Sequence, residues 1–366
     1  MHASQFGAPH ALPLSLIALG FNHEFAAAFA RVARTSECPA RVVAVHRNRV
    51  IVASAEGEFS VTLDRALLHT DSVSRPSTGD WTAVRVDASG QPAEVRAVVP
   101  RRTAFIRGAA GTKAAPQVVA ANIDHVLIVS ALPDDLNARR LERYVALAWE
   151  SGAMPAVVLT KCDLVDAVGE YVALVRGVAP GVDVITVSAA DDDGIIELRA
   201  RMAPSTTIAL LGSSGVGKST LVNRLAGTNV MRTADVDGDG RGRHTTTHRE
   251  LVRLPGGLLV IDTPGMRELQ LWSANAGLEQ VFDDIMQLSD SCRFADCGHG
   301  VEPGCAVTDA VANGRLSRER LASWRKLVRE AARARVLGDA LVASAERAKL
   351  RAMMRAIRVQ AKSRHD

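Results

Sequence analysis

A glycine-rich segment in the second half of the chain constrains the fold more than any other feature. Residues Gly212–Ser219 match the phosphate-loop pattern G-x-x-x-x-G-K-[ST]. The segment follows the apolar run Thr207–Leu211 and precedes the helical sequence Thr220–Ala226. Glycines let backbone N–H groups curl around phosphates, and the helix that follows presents its positive N-terminal end to them. We therefore predict a P-loop domain built on a parallel α/β sheet.

The residue types within this loop predict separate roles on a nucleoside triphosphate. Lys218 is expected to reach the β- and γ-phosphates, and the Ser219 hydroxyl is placed for Mg²⁺. The predicted phosphate-binding residues are Gly212, Ser213, Ser214, Gly215, Val216, Gly217, Lys218, Ser219 and Thr220. An ATP-dependent enzyme would carry the same loop, so the base requires a separate argument.

Two downstream segments are typical of GTPase switches. Asp262-Thr263-Pro264-Gly265 follows an apolar strand, with Asp262 expected to bind Mg²⁺ through water and the Gly265 N–H to contact the γ-phosphate. Residues 235–247 contain almost no apolar side chain, and their threonines suit a loop that closes on Mg²⁺ when the γ-phosphate is present. We favour Thr246 as the closing residue, with Thr245 as the alternative.

A base-recognition motif stands upstream of the phosphate loop. Thr160-Lys161-Cys162-Asp163 follows the apolar run Ala156–Leu159 and resembles the N-K-x-D pattern, with Thr160 in place of asparagine. The Asp163 carboxylate can accept two hydrogen bonds from guanine, a pair that adenine does not offer. The stem of Lys161 is expected to pack along the base. The motif predicts selectivity for guanine.

The order of these motifs indicates a rearranged domain. Ser188 and Ala189 end the next apolar run and are expected to contact the guanine oxygen through the backbone. Base recognition therefore precedes the phosphate loop and both switches, which is a circular permutation of an ordinary G domain. Permutation preserves a sheet whose chain ends lie close in space.

At 366 residues the chain is long enough for two or three domains. Five short β-branched runs between residues 40 and 107 predict an OB-type β-barrel. We divide the chain into an N-terminal extension (1–39), the barrel (40–107), the permuted G domain (117–272) and a zinc-binding, basic helical domain (273–366).

Three cysteines and a histidine cluster near the C-terminal end. Cys292, Cys297, His299 and Cys305 lie within 14 residues and match a closed Cys₃His zinc site. Four protein ligands leave no open position, so we predict one structural zinc ion without a catalytic role. The alternative is a set of free core cysteines beside a surface histidine.

The charge distribution is uneven. Residues 315–366 contain 15 Lys/Arg against 5 Asp/Glu, which leaves 29 against 35 for the rest of the chain. Clustered positive charge favours a polyanionic partner for this end, and the alternative is a solvated basic helix face.

The N-terminal sequence shows no signal peptide, and no uncharged apolar run reaches the ~18–20 residues of a membrane span. The expectation is a soluble, cytoplasmic monomer without a membrane partner.

With these features assembled, the sequence resembles the ribosome-small-subunit-dependent GTPase A family from about residue 40 to 330. The resemblance rests on the phosphate loop, on Asp262–Gly265, on Arg243–Thr247 and on the pattern Phe294-x-x-Cys297-x-His299. It implies a GTPase that acts late in maturation of the 30S subunit, is stimulated by that subunit, and contacts 16S rRNA through its barrel and zinc module.

One catalytic detail follows from the residue after Gly265. Ras-like enzymes keep a water-orienting glutamine there, whereas this chain has Met266, whose thioether cannot orient water. We therefore predict slow intrinsic hydrolysis, with His244 or the partner supplying the missing group. Two other functions remain open, an rRNA-binding zinc protein with a passive structural nucleotide and a P-loop hydrolase that uses ATP.

Overall fold

The computed structural model describes residues 12–47, 49–107, 116–188, 194–231, 249–262 and 275–334. For Asp262, Asn275 and Ala276 only the backbone is described. The described ranges form a barrel with an N-terminal helical segment, a P-loop α/β domain and a C-terminal helical module that contains a Cys/His cluster. This arrangement confirms the fold class predicted from the sequence.

The strands, in chain order, are β1 (Glu37–Val45), β2 (Val50–Ala53), β3 (Glu58–Leu63), β4 (Trp81–Val86), β5 (Pro92–Val98), β6 (Ala104–Arg107), β7 (Gln117–Ala121), β8 (His125–Ala131), β9 (Met154–Thr160), β10 (Asp183–Thr186), β11 (Thr207–Leu211), β12 (Glu250–Arg253) and β13 (Leu259–Asp262). The helices are α1 (Leu14–Ile17), α2 (His23–Val32), α3 (Arg65–Leu68), α4 (Ala138–Ser151), α5 (Val168–Val178), α6 (Ile195–Arg201), α7 (Lys218–Ala226), α8 (Asn275–Val281), α9 (Asp283–Ser289) and α10 (Ala306–Ala312). A terminal helix follows, described over residues 318–334.

Strands β1 to β5 form the closed barrel. Their order is β1-β2-β3-β5-β4, and pairing of β4 with β1 closes the ring. The β3–β5 pair is parallel, whereas the other pairs in the barrel are antiparallel. Small and β-branched side chains such as Ala40, Val42, Val52 and Val84 fill its interior, because alternate residues of each strand face inward.

The N-terminal helices pack on this barrel. Asn22 caps α2 by accepting a hydrogen bond from the Phe25 N–H at 3.0 Å. Phe21 and Phe25 contact Trp81 with ring centroids 4.7 and 6.0 Å apart, and Phe29 is fully buried beside them. The apolar face of the amphipathic stretch seen in the sequence therefore forms a second core against β4.

The P-loop domain is a six-stranded sheet in the order β10-β9-β8-β11-β13-β12. All pairs are parallel except β12–β13. Side chains alternate between two cores, so that Ile128 faces one layer of helices while Leu127 and Val129 face the other. Burial on both faces explains the almost continuous apolar runs of these strands.

Two strand features were not anticipated from the sequence. The edge strand β12 pairs with β1 at Ala44 and Glu250, so the barrel and the P-loop sheet form one continuous sheet of eleven strands. Strands β6 and β7 pair as a separate antiparallel ribbon on either side of residues 108–115. Both pairings depend on contacts between distant parts of the chain, which local sequence patterns do not encode.

A fully buried arginine joins three segments. The Arg41 guanidinium donates to the carbonyl oxygens of Leu19 at 2.5 Å, Gly79 at 3.2 Å and Asn122 at 3.1 Å. Burial lowers the pKa of Arg41 to about 10, so the group remains charged at neutral pH. Arg41 therefore holds the N-terminal segment, the barrel and the entry to the P-loop sheet together.

A second buried arginine anchors the C-terminal module on α4. Arg320 binds both carboxylate oxygens of Asp284 at 2.6 and 2.8 Å and reaches Glu142 at 3.2 Å. Glu142 is completely buried and also accepts from the Ser323 hydroxyl. Helix α8 lies so close to α4 that a side chain at Gly277 would meet the Ala146 carbonyl at 2.5 Å.

Among the described residues, none of the helices is both long and apolar enough to cross a membrane.

The Arg41 contacts predict a large effect on stability. In Arg41→Met, the Leu19 and Asn122 carbonyls lose this donor and the Gly79 carbonyl keeps only the one from the Asn122 side chain, so we expect the free energy of unfolding to fall by about 3–5 kcal/mol. Urea unfolding followed by circular dichroism measures this change. Arg47→Met is the matched control, because Arg47 is exposed just after the same strand. Equal unfolding midpoints for the two variants would contradict the role assigned to Arg41.

Candidate nucleotide site and metal centre

The strand order brings the sequence motifs to one edge of the sheet. Strands β9, β10, β11 and β13 run parallel, so their carboxyl ends lie on the same side. The phosphate loop follows β11, the segment 160–163 follows β9 and Ser188 follows β10. This edge is where open α/β sheets bind their ligands.

The phosphate loop adopts a conformation that requires glycine. Gly212 has φ +153°, and an added Cβ would meet the Val129 carbonyl oxygen at 2.3 Å. Gly215 and Gly217 have φ +78° and +91°, in the region that side chains disfavour. Gly217 is the N-cap of α7, so the phosphate loop ends directly at the N-terminus of this helix. These conformations explain the two glycines of the motif and the additional Gly215.

The exposed side of the loop is open to a ligand. Ser214 and Gly215 are exposed, and Ser213, Ser219 and Thr220 are half-buried. The buried Val216 side chain fixes the loop to the core beneath α7.

Lys218 lies within this loop. Its ammonium group donates to the carbonyl oxygens of Gly212 at 2.9 Å and Ser213 at 2.5 Å. These contacts hold the positive charge across the loop where phosphate oxygens would bind.

A hydrogen bond links the base-recognition motif to the phosphate loop. The Thr160 hydroxyl lies 2.8 Å from the Val216 carbonyl oxygen and 3.4 Å from that of Ser130. A hydroxyl has one proton, so we assign the hydrogen bond to the shorter contact, in which Thr160 donates to the Val216 carbonyl oxygen. Thr160 is buried, which strengthens this bond. The replacement of asparagine by threonine thus keeps a tether to the phosphate loop, which the sequence alone did not reveal.

The residues after Thr160 turn away from the sheet and into solvent. Lys161 has φ +58° and precedes a 3₁₀ turn over Cys162–Leu164. The Lys161 and Asp163 side chains are exposed at the sheet edge. The Cys162 N–H donates to the Val187 carbonyl at 3.4 Å, which places this turn beside the buried Ser188. A ligand at this edge can therefore reach Asp163 and the end of β10.

Several predicted site residues lie outside the described residues, namely Ala189, His244, Thr246 and Gly265. Asp262 is the last residue of β13 and pairs with Glu250, so its backbone ends a strand at the same sheet edge. Its side chain is outside the description.

The four predicted metal ligands converge. One ligand atom from each of Cys292, Cys297, His299 and Cys305 lies within 4.8 Å of the others. The His299 Nδ1 atom is 3.6 Å from the sulfurs of Cys292 and Cys305, which are 3.9 Å apart. In a tetrahedral zinc site, with bonds of about 2.3 Å to sulfur and about 2.0–2.1 Å to nitrogen, two sulfurs lie about 3.8 Å apart and a sulfur and a nitrogen about 3.6 Å apart. The three distances among Cys292, His299 and Cys305 fit a tetrahedral metal ion, and Cys297 is close enough to be the fourth ligand.

Surrounding residues hold this cluster in place. His299 packs on Trp324, and its carbonyl accepts a hydrogen bond from Arg325 of the terminal helix. Burial raises the pKa of Cys305, but hydrogen bonds from Thr308 and the contact with His299 lower it to about 6 overall. A thiol with this pKa is ready to bind a metal as thiolate. The Cys/His spacing in the sequence predicted the four metal ligands. Nothing in the sequence indicated that Trp324 and Arg325 contact His299.

The cluster predicts one metal ion per chain. Cys305→Ser is expected to lose most of this metal and to lower the melting temperature, because metal affinity contributes to folding. Inductively coupled plasma mass spectrometry measures the bound metal, and thermal unfolding measures the melting temperature. Cys162→Ser is the matched control, since this thiol lies outside the cluster. Equal metal content in both variants would show that the four residues do not form a metal site.

Known proteins are similar to this chain over most of its length. The sequence profile of the RsgA GTPase family matches residues 98–272. The small ribosomal subunit biogenesis GTPase RsgA of Opitutus terrae is 46% identical over 91% of this chain and 94% of its own length. The protein of the same name from Streptomyces coelicolor is 45% identical over 88% of each chain.

Two solved structures share the fold. YjeQ from Thermotoga maritima aligns with a TM-score of 0.59 at 24% identity over 81% of this chain and 98% of that protein. The circularly permuted GTPase YloQ aligns with a TM-score of 0.55 at 22% identity over 81% and 95% of the two chains. The sequence identity over nearly the full length of the first two relatives, together with the profile match, shows that the chain belongs to the RsgA GTPase family.

Proposed function

We propose that the chain hydrolyses GTP to GDP and phosphate in the late maturation of the 30S ribosomal subunit, and that the subunit stimulates this reaction. The observation that carries the proposal is the 46% identity with a small-subunit biogenesis GTPase over 91% of the chain. The aligned length includes the barrel and the metal module as well as the P-loop domain. The sequence similarity therefore extends to the two modules outside the P-loop domain that could bind a partner.

In this proposal the base is selected at the ends of β9 and β10. The exposed Asp163 carboxylate accepts the guanine N1–H and N2 amine, and the Lys161 stem covers the ring. The backbone at Ser188 and Ala189 meets the guanine oxygen. The tether between Thr160 and Val216 supports the proposal because it fixes the base-reading turn relative to the phosphate loop.

The phosphates are assigned to the loop that follows β11. Lys218 would exchange its carbonyl contacts for the β- and γ-phosphates, and the N-terminus of α7 favours the negative charge. Mg²⁺ bound with GTP would offset charge in phosphoryl transfer, with Ser219, Asp262 and Thr246 as the residues that hold it. The Gly265 N–H is assigned to the γ-phosphate.

His244 is proposed as the group that assists the attacking water, with the ribosomal subunit as the alternative source. The reason is chemical: Met266 stands where a water-orienting glutamine would be expected.

The metal at the Cys/His cluster is proposed to be a structural zinc ion. Three thiols and an imidazole are the donors that zinc prefers in closed sites, and four protein ligands leave no position for substrate. Its role is to fix the knuckle 292–305 against the terminal helix.

We assign the barrel (40–107) and the module 273–366 to contacts with 16S rRNA and the segment 117–272 to GTP and GDP. In the N-terminal extension (1–39), the helices α1 and α2 support the barrel. The protein is proposed to act as a cytoplasmic monomer. The basic C-terminal end supports an RNA partner, since the last 52 residues, 315–366, contain 15 Lys/Arg against 5 Asp/Glu.

The Thr160 tether predicts a specific effect on nucleotide binding. Thr160→Val keeps the shape but leaves the buried Val216 carbonyl without its donor, so we expect GDP to bind about tenfold more weakly. Thr160→Ser retains a hydroxyl and is expected to bind GDP almost as the parent does. Fluorescence titration with a labelled GDP measures both affinities. Equal affinities for the valine and serine variants would rule out the tether.

The proposed function is tested by GTP turnover titrated with purified small ribosomal subunits at two salt concentrations. We expect the subunits to stimulate turnover, and to do so less at high salt, because phosphate contacts weaken as salt rises. Asp163→Asn should shift the preference from GTP to xanthosine triphosphate if this carboxylate reads the base.

Single-turnover measurements separate this proposal from the passive-nucleotide alternative. An rRNA-binding zinc protein with a structural nucleotide would show no stimulation by subunits, and that result would overturn the proposed function. Lys218→Ala is the negative control, since it removes the cation assigned to the phosphates.

A further inference from the structure

Helix α7, which follows the phosphate loop, carries a buried amide in its interior. The Asn223 side chain belongs to this helix, and the residue is only 8% exposed. Asparagine is a weak helix former because its side chain competes with the backbone for hydrogen bonds. A buried amide also needs hydrogen-bond partners. An asparagine at this position therefore requires a partner outside the helix.

That partner is the chain that folds back after α7. The helix ends at Gly227, which caps it with φ +69°. The Asn223 Oδ1 then accepts from the N–H groups of Val230 at 3.0 Å and Met231 at 2.7 Å, and its Nδ2 donates to the Met231 carbonyl at 2.8 Å. An amide offers an acceptor and a donor side by side, whereas a carboxylate lacks the donor. Asn223 thus attaches residues 230–231 to α7.

The attachment lies on the face of α7 that carries Ser219. Ser219 precedes Asn223 by four residues, and residues four apart in a helix share a face. They are separated by about 6 Å along the axis, at about 1.5 Å per residue. In the proposed function Ser219 holds Mg²⁺. The chain that follows α7 is therefore fixed on the face that leads to the proposed metal position.

Residues 232–248 follow this attachment and lie outside the described residues. They contain His244 and Thr246, which the proposed function assigns to the attacking water and to Mg²⁺. Beyond them, the Arg249 carbonyl accepts a hydrogen bond from the buried Thr78 hydroxyl at 3.3 Å. The described residues on the two sides of this segment are thus attached, one to α7 and the other to the barrel.

We propose that Asn223 is a positioning residue for GTP hydrolysis. It fixes residues 230–231 to the helix that begins at Lys218, and so sets where the segment 232–248 starts relative to the phosphates. Asn223 lies beyond the phosphate-loop motif, which ends at Ser219, and acts through these backbone contacts. The inference rests on the proposed function, since it takes GTP to be hydrolysed at this site.

The test compares three quantities in the full-length, metal-loaded protein. They are the affinity for GDP, the affinity for the non-hydrolysable GTP analogue GMPPNP, and the single-turnover rate of GTP hydrolysis with saturating small ribosomal subunits. Asn223→Leu keeps the approximate volume of the side chain and removes its three hydrogen bonds.

In Asn223→Leu we expect the hydrolysis rate to fall about ten- to hundredfold, because a misplacement of about 1 Å can cost about a hundredfold in rate. GMPPNP should bind about fivefold more weakly while GDP binding changes by less than about twofold, because contacts between a GTPase switch and Mg²⁺ depend on the γ-phosphate. A residue with a merely structural role would not change the ratio of these two affinities.

Arg199→Met is the matched structural control. The Arg199 guanidinium donates to the carbonyls of Arg224 and Leu225 at 3.0 and 2.6 Å, at the end of the same helix. Its loss should lower the melting temperature and leave the affinity ratio and the rate unchanged. Asn223→Asp keeps both acceptor contacts and loses only the donor, so its affinity ratio and rate should lie between those of the parent and the leucine variant.

Two results with Asn223→Leu would overturn the inference. One is an affinity ratio and a rate equal to those of the parent. The other is an equal loss of affinity for GDP and GMPPNP, which would mean that Asn223 only supports the phosphate loop. If the leucine variant does not fold, the aspartate variant decides, and a parent-like ratio there also contradicts the inference. Failure of the proposed function is distinguishable, because the parent itself would then show no stimulation by subunits.

Discussion

The architecture depends on a buried guanidinium that has no carboxylate in direct contact among the residues that the structure describes. Arg41 is completely buried, and its charge is stabilised by three carbonyl dipoles, from the N-terminal segment at Leu19, the barrel at Gly79 and the sheet entry at Asn122. An unpaired charge in such a place would cost several kcal/mol, so the three segments are stable only together. This constraint holds the barrel beside the α/β domain, where β1 and β12 pair to join the two sheets.

A second constraint operates at the other end of the molecule. Arg320 and the completely buried Glu142 tie the C-terminal module to α4, while the Cys/His cluster fixes the knuckle to the terminal helix. Barrel and metal module are therefore both held to the same P-loop domain by buried charges. In the function that we propose, this arrangement would let two RNA-contacting parts act as one body with the P-loop domain.

Much of the fold and of the candidate site could be predicted because the responsible signals are local. Glycines with positive φ, such as Gly215 and Gly217, are required by the loop itself, and the Cys/His spacing brings four ligands together over 14 residues. The barrel strands were likewise visible as short β-branched runs. The pairing of Ala44 with Glu250 was not visible, because two edge strands far apart in sequence meet only when the domains pack.

By itself the sequence determined a phosphate-loop pattern, a metal-ligand spacing and a permuted order of motifs, and it predicted a carboxylate for the base. These properties reside in short segments whose residue types leave few alternatives. Only the tertiary structure decided that the Thr160 hydroxyl reaches Val216 and that three carbonyl oxygens accept hydrogen bonds from Arg41. The physical reason is that hydrogen bonding and burial are set by which surfaces pack together, and packing is a property of the whole chain.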